Sequence, residues 1–154
     1  MHPVLLEITL PDETAMAHFA AKIAPILSTG DTLLLEGDIG AGKSAFARAL
    51  IRARLGRQED VPSPTFTLVQ TYEAPDGDIW HCDLYRLSHP DEAFELGLED
   101  AFETAICLIE WPDRLGNTAP QSALRLAFSA GETSHHVAVS GDVAWARKLD
   151  GLDD

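Results

Sequence analysis

Hydrophobic positions in the first third of the chain alternate between the spacing of strands and the spacing of helices. Val4–Leu10 is predicted to be a strand, and Asp12 is a suitable N-cap for the helix predicted after it. Pro25 should kink or end that helix, because proline removes a backbone donor. The apolar run Thr32–Glu36 lies between glycines and predicts a buried strand. The inner face of a second predicted helix is expected to carry Phe46, Ala49, Leu50 and Ala53.

The rest of the chain is predicted to contain mainly strands. Residues 65–73 and 78–84 alternate with the period of a strand on either side of a turn at 74–77, which predicts a β-hairpin. The other predicted elements are a short helix at 92–96, a buried strand at 105–109, paired strands at 123–129 and 135–140, and a helix at 142–149. This order predicts a single α/β domain over residues 1–154, with a mixed, mainly parallel sheet flanked by helices and antiparallel hairpin portions.

A loop between the second strand and the second helix carries the clearest chemical signal. It fits the pattern G-x-x-x-x-G-K-[ST] at every position, which is typical of a P-loop NTPase. Glycines let backbone N–H groups surround a phosphate, and the next helix directs its N-terminal dipole at the same anion. Lys43 is expected to reach the β- and γ-phosphates of a nucleotide, and the Ser44 hydroxyl to bind Mg²⁺. The predicted nucleotide-binding residues are Gly37, Asp38, Ile39, Gly40, Ala41, Gly42, Lys43, Ser44 and Ala45.

Two acidic residues are candidates to complete this site. A P-loop needs a second anchor for Mg²⁺, usually an acid at the end of a neighbouring buried strand, and Glu110 ends the apolar run 105–109. Asp83 is the second candidate, since it shares one face of a predicted strand with His81 and that face could look towards the nucleotide. The alternatives are a solvated acid for Glu110 and a structural, hydrogen-bonded acid for Asp83.

Other polar and aromatic residues have a less specific interpretation. Thr65 and Thr67 lie in a loop that could sense the γ-phosphate, as threonines do in nucleotide switches, or that simply enters a strand. Trp111 follows Glu110 and could stack on a ligand or pack in the core. His135 and His136 are interpreted as surface residues because no acidic or sulfur partner is near them in sequence. The chain has no N-K-x-D element of the kind that selects guanine, so ATP is favoured over GTP.

The charge of the chain limits the classes of partner that it can have. Its net charge is −14 with only three lysines, so we expect no tight binding of nucleic acid by the isolated chain. The one grouping of basic residues is Arg48, Arg52, Arg54 and Arg57, which could instead meet an acidic protein surface. No membrane span or secretory signal is predicted, and the two cysteines, interpreted as reduced core residues, favour a cytoplasmic protein.

Four segments in order, GDIGAGKS, SPTFTLV, HCDLYRL and CLIEWP, resemble the bacterial TsaE (YjeE) family. These are ATPases needed for the threonylcarbamoyl modification of adenosine 37 in tRNA (t6A). The resemblance covers nearly the whole chain and implies a P-loop fold, Mg–ATP as cofactor and weak ATPase activity. It also implies partners of the TsaB and TsaD type, with tRNA engaged only indirectly.

The resemblance also implies a role for individual residues. By motif, Lys43 contacts phosphate, Ser44 and Glu110 bind Mg²⁺, and Asp83 supports hydrolysis. Thr65 and Thr67 fall in the family's switch-like loop, and Trp111 belongs to its site. The family's base pocket draws on the start of the first helix, here around Glu13 and Thr14. The chain departs from the family in having Ser44 in place of threonine and an acid at Glu132 where some relatives carry a basic residue.

Two other functions fit the glycine loop. A small-molecule P-loop kinase would need an acceptor pocket and an arginine-rich lid, and no such lid is evident between Glu73 and Glu99. A nucleotide-gated binding protein with negligible turnover is closer to the first interpretation, because a weak ATPase can act mainly as an assembly switch.

Overall fold

Seven strands form a single sheet in the computed structural model, which describes residues 3–56, 60–62, 64 and 67–150. The strands are β1 (Val4–Leu10), β2 (Thr32–Glu36), β3 (Val69–Ala74), β4 (Gly77–Asp83), β5 (Ile106–Glu110), β6 (Leu124–Ala130) and β7 (His135–Ser140). Their order across the sheet is β1-β7-β6-β2-β5-β4-β3.

The centre of the sheet is parallel and its two edges are antiparallel. β2 pairs in parallel with both β5 and β6, and β4 pairs in parallel with β5. The hairpins β3–β4 and β6–β7 are antiparallel, as is the pair β1–β7. The mixed sheet and both predicted hairpins are therefore confirmed, although β3 begins at Val69, so Thr67 and Leu68 lie outside the strand that was predicted to contain them. The carboxyl ends of β2, β4 and β5 meet at one edge, which is where ligands bind in open α/β sheets.

Helices cover both faces of the sheet. They are α1 (Glu13–Ile23), α2 (Lys43–Leu55), α3 (Asp91–Glu95), α4 (Leu98–Thr104) and α5 (Val143–Leu149), with 3₁₀ helices at Ala24–Ile26 and Pro112–Thr118. Leu33 and Leu35 pack in the core cluster that contains α1, α2 and α5, whereas Leu34 packs with α3 and α4 on the other face. Within the described residues, no helix is long and apolar enough to cross a membrane.

The structure confirms the predicted helix boundaries in part. The Asp12 side chain accepts the backbone N–H of Ala15 at 2.8 Å, and α1 gives way to the 3₁₀ helix that contains Pro25. The prediction that Ala53 lies on the inner face of α2 is wrong, because Ala53 is exposed. The helix instead buries a stripe that begins at Lys43 and continues through Phe46, Ala47, Leu50, Ile51 and Leu55. A buried lysine is not expected from hydrophobic spacing, and the stripe lies on the side of the helix that carries Ala47 and Ile51, away from Ala53.

Candidate functional site

Three glycines shape the loop between β2 and α2. Their φ angles are +137° at Gly37, +84° at Gly40 and +113° at Gly42, in the region that side chains disfavour. A Cβ atom at Gly37 would lie 2.4 Å from the carbonyl oxygen of Phe128, and one at Gly42 would lie 2.8 Å from Cε of Met16. The loop therefore lies tightly against β6 and α1, at the N-terminus of a 13-residue helix that can stabilise an anion.

The other residues of the loop differ in exposure. Ile39 is 78% exposed at the tip of the loop, whereas Ala41 is buried. The backbone carbonyl of Asp38 accepts the N–H of Ala41 at 3.1 Å, which closes a turn inside the loop. Ile39 and Ala45 both line the cavity described below. The predicted phosphate loop thus contributes both a rigid backbone turn and an exposed apolar tip.

Lys43 is buried at the start of α2 with its ammonium inside the site. Its Nζ atom donates to the carbonyl of Gly37 at 2.5 Å and lies 3.6 Å from the ring centroid of Trp111. Burial lowers the pKa of Lys43, and the carboxylates of Glu110, Asp83 and others nearby oppose that shift. The site therefore holds a poorly solvated cation next to the glycine loop.

Ser44 and Glu110 meet although 65 residues of chain separate them. Ser44 Oγ lies 3.1 Å from Glu110 Oε1 and 3.3 Å from Oε2, because β5 places Glu110 opposite Leu35 at the end of β2. A hydroxyl and a carboxylate are hard oxygen donors of the kind that Mg²⁺ takes together with phosphate oxygens and water. Among the described residues, no group of three or more His, Cys, Asp or Glu side chains could hold a metal by itself. The pair thus fits a metal ion that arrives with a phosphate.

His81 contacts Glu110 from the neighbouring strand. Its Nε2 atom lies 2.7 Å from Glu110 Oε2, and both side chains are buried. Sequence reasoning placed His81 on the same strand face as Asp83 but assigned it no role. The strand alternation contained the signal for its orientation, but not for its partner.

Asp83 ends β4 directly opposite Glu110 in the parallel register. It is 6% exposed, and its Oδ1 atom accepts the backbone N–H of Tyr85 at 3.1 Å. Its own backbone N–H donates to the carbonyl of Leu68 at 2.9 Å. Asp83 therefore joins the acidic end of the sheet to the chain that leads out of the predicted switch-like loop.

That loop is described only in part. Thr65 lies outside the described residues. Thr67 is exposed, and its Oγ1 atom accepts the side-chain amide of Gln70 at 3.0 Å. Leu68 follows with a φ of +70°, which is unusual for a leucine. A γ-phosphate contact for Thr65 or Thr67 stays a prediction.

Trp111 forms a wall of the site immediately after Glu110. Its φ of +60° turns the chain sharply at the end of β5, so that the indole faces Lys43 rather than continuing the strand. The ring also contacts that of Tyr85, with centroids 4.9 Å apart. Trp111 is thus both packed and turned towards the site.

A cavity of about 720 Å³ adjoins the loop and the acids. Its far side is formed by residues 130–134 of the β6–β7 turn and by the start of α1, including Glu13. Thr14 is exposed and is not in this lining, so its part in base binding stays a prediction. His135 is partly exposed, as a surface residue would be, and it also lines the cavity, with Nε2 3.4 Å from the carbonyl of Gly40. The hairpin brings it to the loop, which spacing along the chain does not reveal.

Comparison with known protein families matches residues 10–137 to the family described as threonylcarbamoyl adenosine biosynthesis protein TsaE. The chain belongs to the TsaE family. The prediction made from the four motifs is thereby confirmed.

Individual relatives agree with this TsaE assignment. The tRNA threonylcarbamoyladenosine biosynthesis protein TsaE of Rickettsia bellii is 42% identical over 111 residues, which are 72% of this chain and 77% of that protein. The TsaE protein of Bacillus subtilis is 36% identical over 130 residues, 82% of this chain and 78% of its own. The crystal structure of Bacillus subtilis YdiB matches with a TM-score of 0.81 at 26% identity, covering 99% of this chain and 95% of that one. The TsaE likeness thus extends from sequence to fold.

The predicted basic grouping of this TsaE-family chain is largely used internally. Arg54 donates to the carbonyls of Ala24 and Leu27 at 2.9 and 3.0 Å, where it holds the end of α1 against α2. Arg48 donates to the carbonyl of Val61 at 3.3 Å, and Arg57 lies outside the described residues. These contacts direct two of the four guanidinium groups at backbone carbonyls of the protein itself.

Proposed function

We propose that this TsaE-family protein binds ATP with Mg²⁺ at the glycine loop and hydrolyses it slowly in support of t6A formation in tRNA. The observation that carries the proposal is the meeting of Lys43, Ser44 and Glu110. A cation, a hydroxyl and a carboxylate converge at a helix N-terminus, beside a cavity of nucleotide size. These are the groups that phosphoryl transfer requires, and positioning with charge stabilisation is most of what a protein supplies to it.

The loop and Lys43 would bind the phosphates. The positive φ angles of Gly37 and Gly42 give the loop a conformation that would let its backbone approach a phosphate closely, and α2 would add its N-terminal dipole. Lys43 Nζ has three donor hydrogens, so the bond to the Gly37 carbonyl leaves others for phosphate oxygens. The low degree of solvation of this ammonium strengthens each such contact.

The acids would serve hydrolysis. Ser44 and Glu110 would hold Mg²⁺, which would offset charge on the phosphates when bound. Asp83 lies opposite Glu110 and lines the cavity, where its carboxylate would orient the attacking water or a ligand of the metal. Trp111 would close the site on the side of Lys43.

Partners of the TsaB and TsaD type would use this ATPase, with the transfer of the threonylcarbamoyl group performed by the TsaD-type protein. A chain of net charge −14 is suited to acting on tRNA through other proteins. The segment that ends at Thr67 and Leu68 would respond to the γ-phosphate, since its last carbonyl accepts the backbone N–H of Asp83.

Phosphate release measured with the protein alone and with TsaB- and TsaD-type partners tests the proposal. We expect slow release alone and a change on adding the partners. ATP bound without any release would favour the nucleotide-gated binding protein. Transfer of the phosphate to a small molecule, rather than to water, would favour the kinase. Absence of ATP binding would refute all three.

A further inference from the structure

His81 is a buried histidine that directs one ring nitrogen at Glu110. The 2.7 Å between His81 Nε2 and Glu110 Oε2 is shorter than either distance between the Glu110 oxygens and Ser44 Oγ. His81 is 1% exposed and Glu110 is 2% exposed, so water does not compete for this bond. A carboxylate that binds a metal is ionised and only accepts hydrogen bonds, so a Glu110 in that role requires the hydrogen of the bond to lie on His81 Nε2.

The other ring nitrogen of His81 indicates that the bond to Glu110 is the reason for a polar side chain at this position. Nδ1 is buried and has no hydrogen-bond partner among the described residues. Burying an unpaired polar atom costs free energy, which a leucine or valine at the same place would avoid. The polar character of the side chain therefore has one evident use in the structure, which is its bond to Glu110.

The strand register explains how one bond orients the carboxylate. Asp83 lies opposite Glu110, and His81 lies opposite Leu108, two residues earlier on both strands. Alternate residues share a face, so His81 sits behind Glu110 on the side away from the strand ends. It holds Oε2, while Oε1 is the oxygen closer to Ser44 Oγ.

We propose that His81 is a positioning residue, which holds Oε2 of Glu110 so that Oε1 and Ser44 Oγ face a single Mg²⁺ position. This inference rests on the proposed function, in which Ser44 and Glu110 hold the metal. Hydrogen-bonded neighbours that orient metal ligands typically contribute about 10- to 100-fold in metal affinity, which sets the size of the expected effect.

Two substitutions at His81 and one beside it separate positioning from packing. His81→Leu removes the donor, whereas His81→Gln retains an N–H donor at a similar reach. Cys82→Ala is the matched control, because Cys82 is buried on the same strand but packs in the core on the opposite face. Thermal unfolding of each variant records what packing alone has lost.

Binding of a non-hydrolysable ATP analogue, measured by calorimetry across a Mg²⁺ titration, is the decisive readout. We expect His81→Leu to need about 10- to 100-fold more Mg²⁺ for half-maximal binding. His81→Gln should recover most of that loss, and Cys82→Ala should match the wild type. In EDTA, His81→Leu and the wild type should bind the analogue equally.

Other results would overturn the inference. A wild-type Mg²⁺ requirement in His81→Leu, or an equal shift in Cys82→Ala, would reduce His81 to a packing residue. If His81→Leu does not fold, ¹⁵N spectra of the wild-type histidine rings decide, and a His81 Nε2 without hydrogen would refute the proposal. A wild-type protein that shows no Mg²⁺-dependent binding would refute the proposed function itself, which a failure at His81 alone does not.

Discussion

Replacing Lys43 with methionine would separate two properties of this side chain, its proposed contact with phosphate and its cost as a buried cation. Methionine keeps an unbranched stem and places a polarizable sulfur near Trp111, where the ammonium now lies 3.6 Å from the ring centroid. The substitution removes the charge and the bond to the carbonyl of Gly37, but it leaves most of the packing of α2 in place.

The two properties predict changes of different size. A hydrogen bond to a charged group contributes about 1.5–3 kcal/mol, so losing one bond from Lys43 to phosphate should raise the Kd for Mg–ATP about 10- to 150-fold. Stability without nucleotide should fall by less than this, because the loss of the bond to the Gly37 carbonyl is offset by the removal of a cation that burial disfavours. Burial lowers the pKa of Lys43 even though Glu110, Asp83 and other carboxylates oppose it, so the folded protein disfavours the charged form.

Calorimetric titration with Mg–ATP and melting curves without nucleotide measure both effects, with Lys22→Met as a control for charge loss away from the site. The change in the free energy of unfolding with pH has a predicted sign, which can also be checked. The folded protein releases the Lys43 proton at a lower pH than the unfolded chain, whose pKa is near 10.5. The unfolded state thus binds more protons there, and the wild type should gain stability relative to Lys43→Met as the pH rises towards that value. Unchanged affinity for ATP would refute the phosphate contact, and a loss of stability in Lys43→Met at neutral pH that exceeds about 3 kcal/mol would refute the argument from burial.

Three further outcomes are expected. Glu110→Gln and Asp83→Asn should each lower phosphate release about 10-fold or more, with Glu110→Gln changing the Mg²⁺ requirement more; normal rates in both would mean that the site is wrongly drawn. Gly37→Ala should lower the free energy of unfolding by about 1–3 kcal/mol more than Gly40→Ala in denaturant titrations, because only the first meets the carbonyl of Phe128. At physiological salt, the isolated protein should bind tRNA weakly, and its affinity for a TsaB–TsaD type complex should differ between ATP, ADP and no nucleotide; tight tRNA binding or equal affinities would contradict this.

Elements with short-range signals could be predicted from the sequence. The turn at 74–77 and the apolar run of β5 depend on neighbouring residues, and both are present in the structure. Helix α4 was not predicted, since it buries only Leu98 and Ala101 and begins after Gly97, which has no side chain to cap it. A short helix with two buried positions gives too weak a periodic pattern to be recognised.

The composition of the candidate site could be predicted better than its contacts. The loop motif predicts Lys43 and Ser44, and the acid at the end of an apolar run predicts Glu110, each from its own segment of the chain. The bond from His81 to Glu110 depends on the register of β4 against β5, and the approach of His135 to the loop depends on the β6–β7 hairpin. Register between segments distant in the chain follows from the packing of the whole sheet, which no local pattern contains.

The central position of β2 in the sheet also affects how the protein folds while it is being synthesised. When the first 55 residues have left the ribosome, the glycine loop, β2 and α2 exist, but none of the strands that pair with β2 has been synthesised. Leu33 cannot pair until Leu108 and Leu124 have been synthesised, and Gly37 cannot pack against the carbonyl of Phe128 until β6 is present. Such distant pairings form slowly and leave an apolar strand unpaired in the nascent chain, which is prone to aggregate or to bind chaperones. The proposed nucleotide would bind only after the sheet is complete. It would therefore stabilise the native state, including the strand pairings that form last.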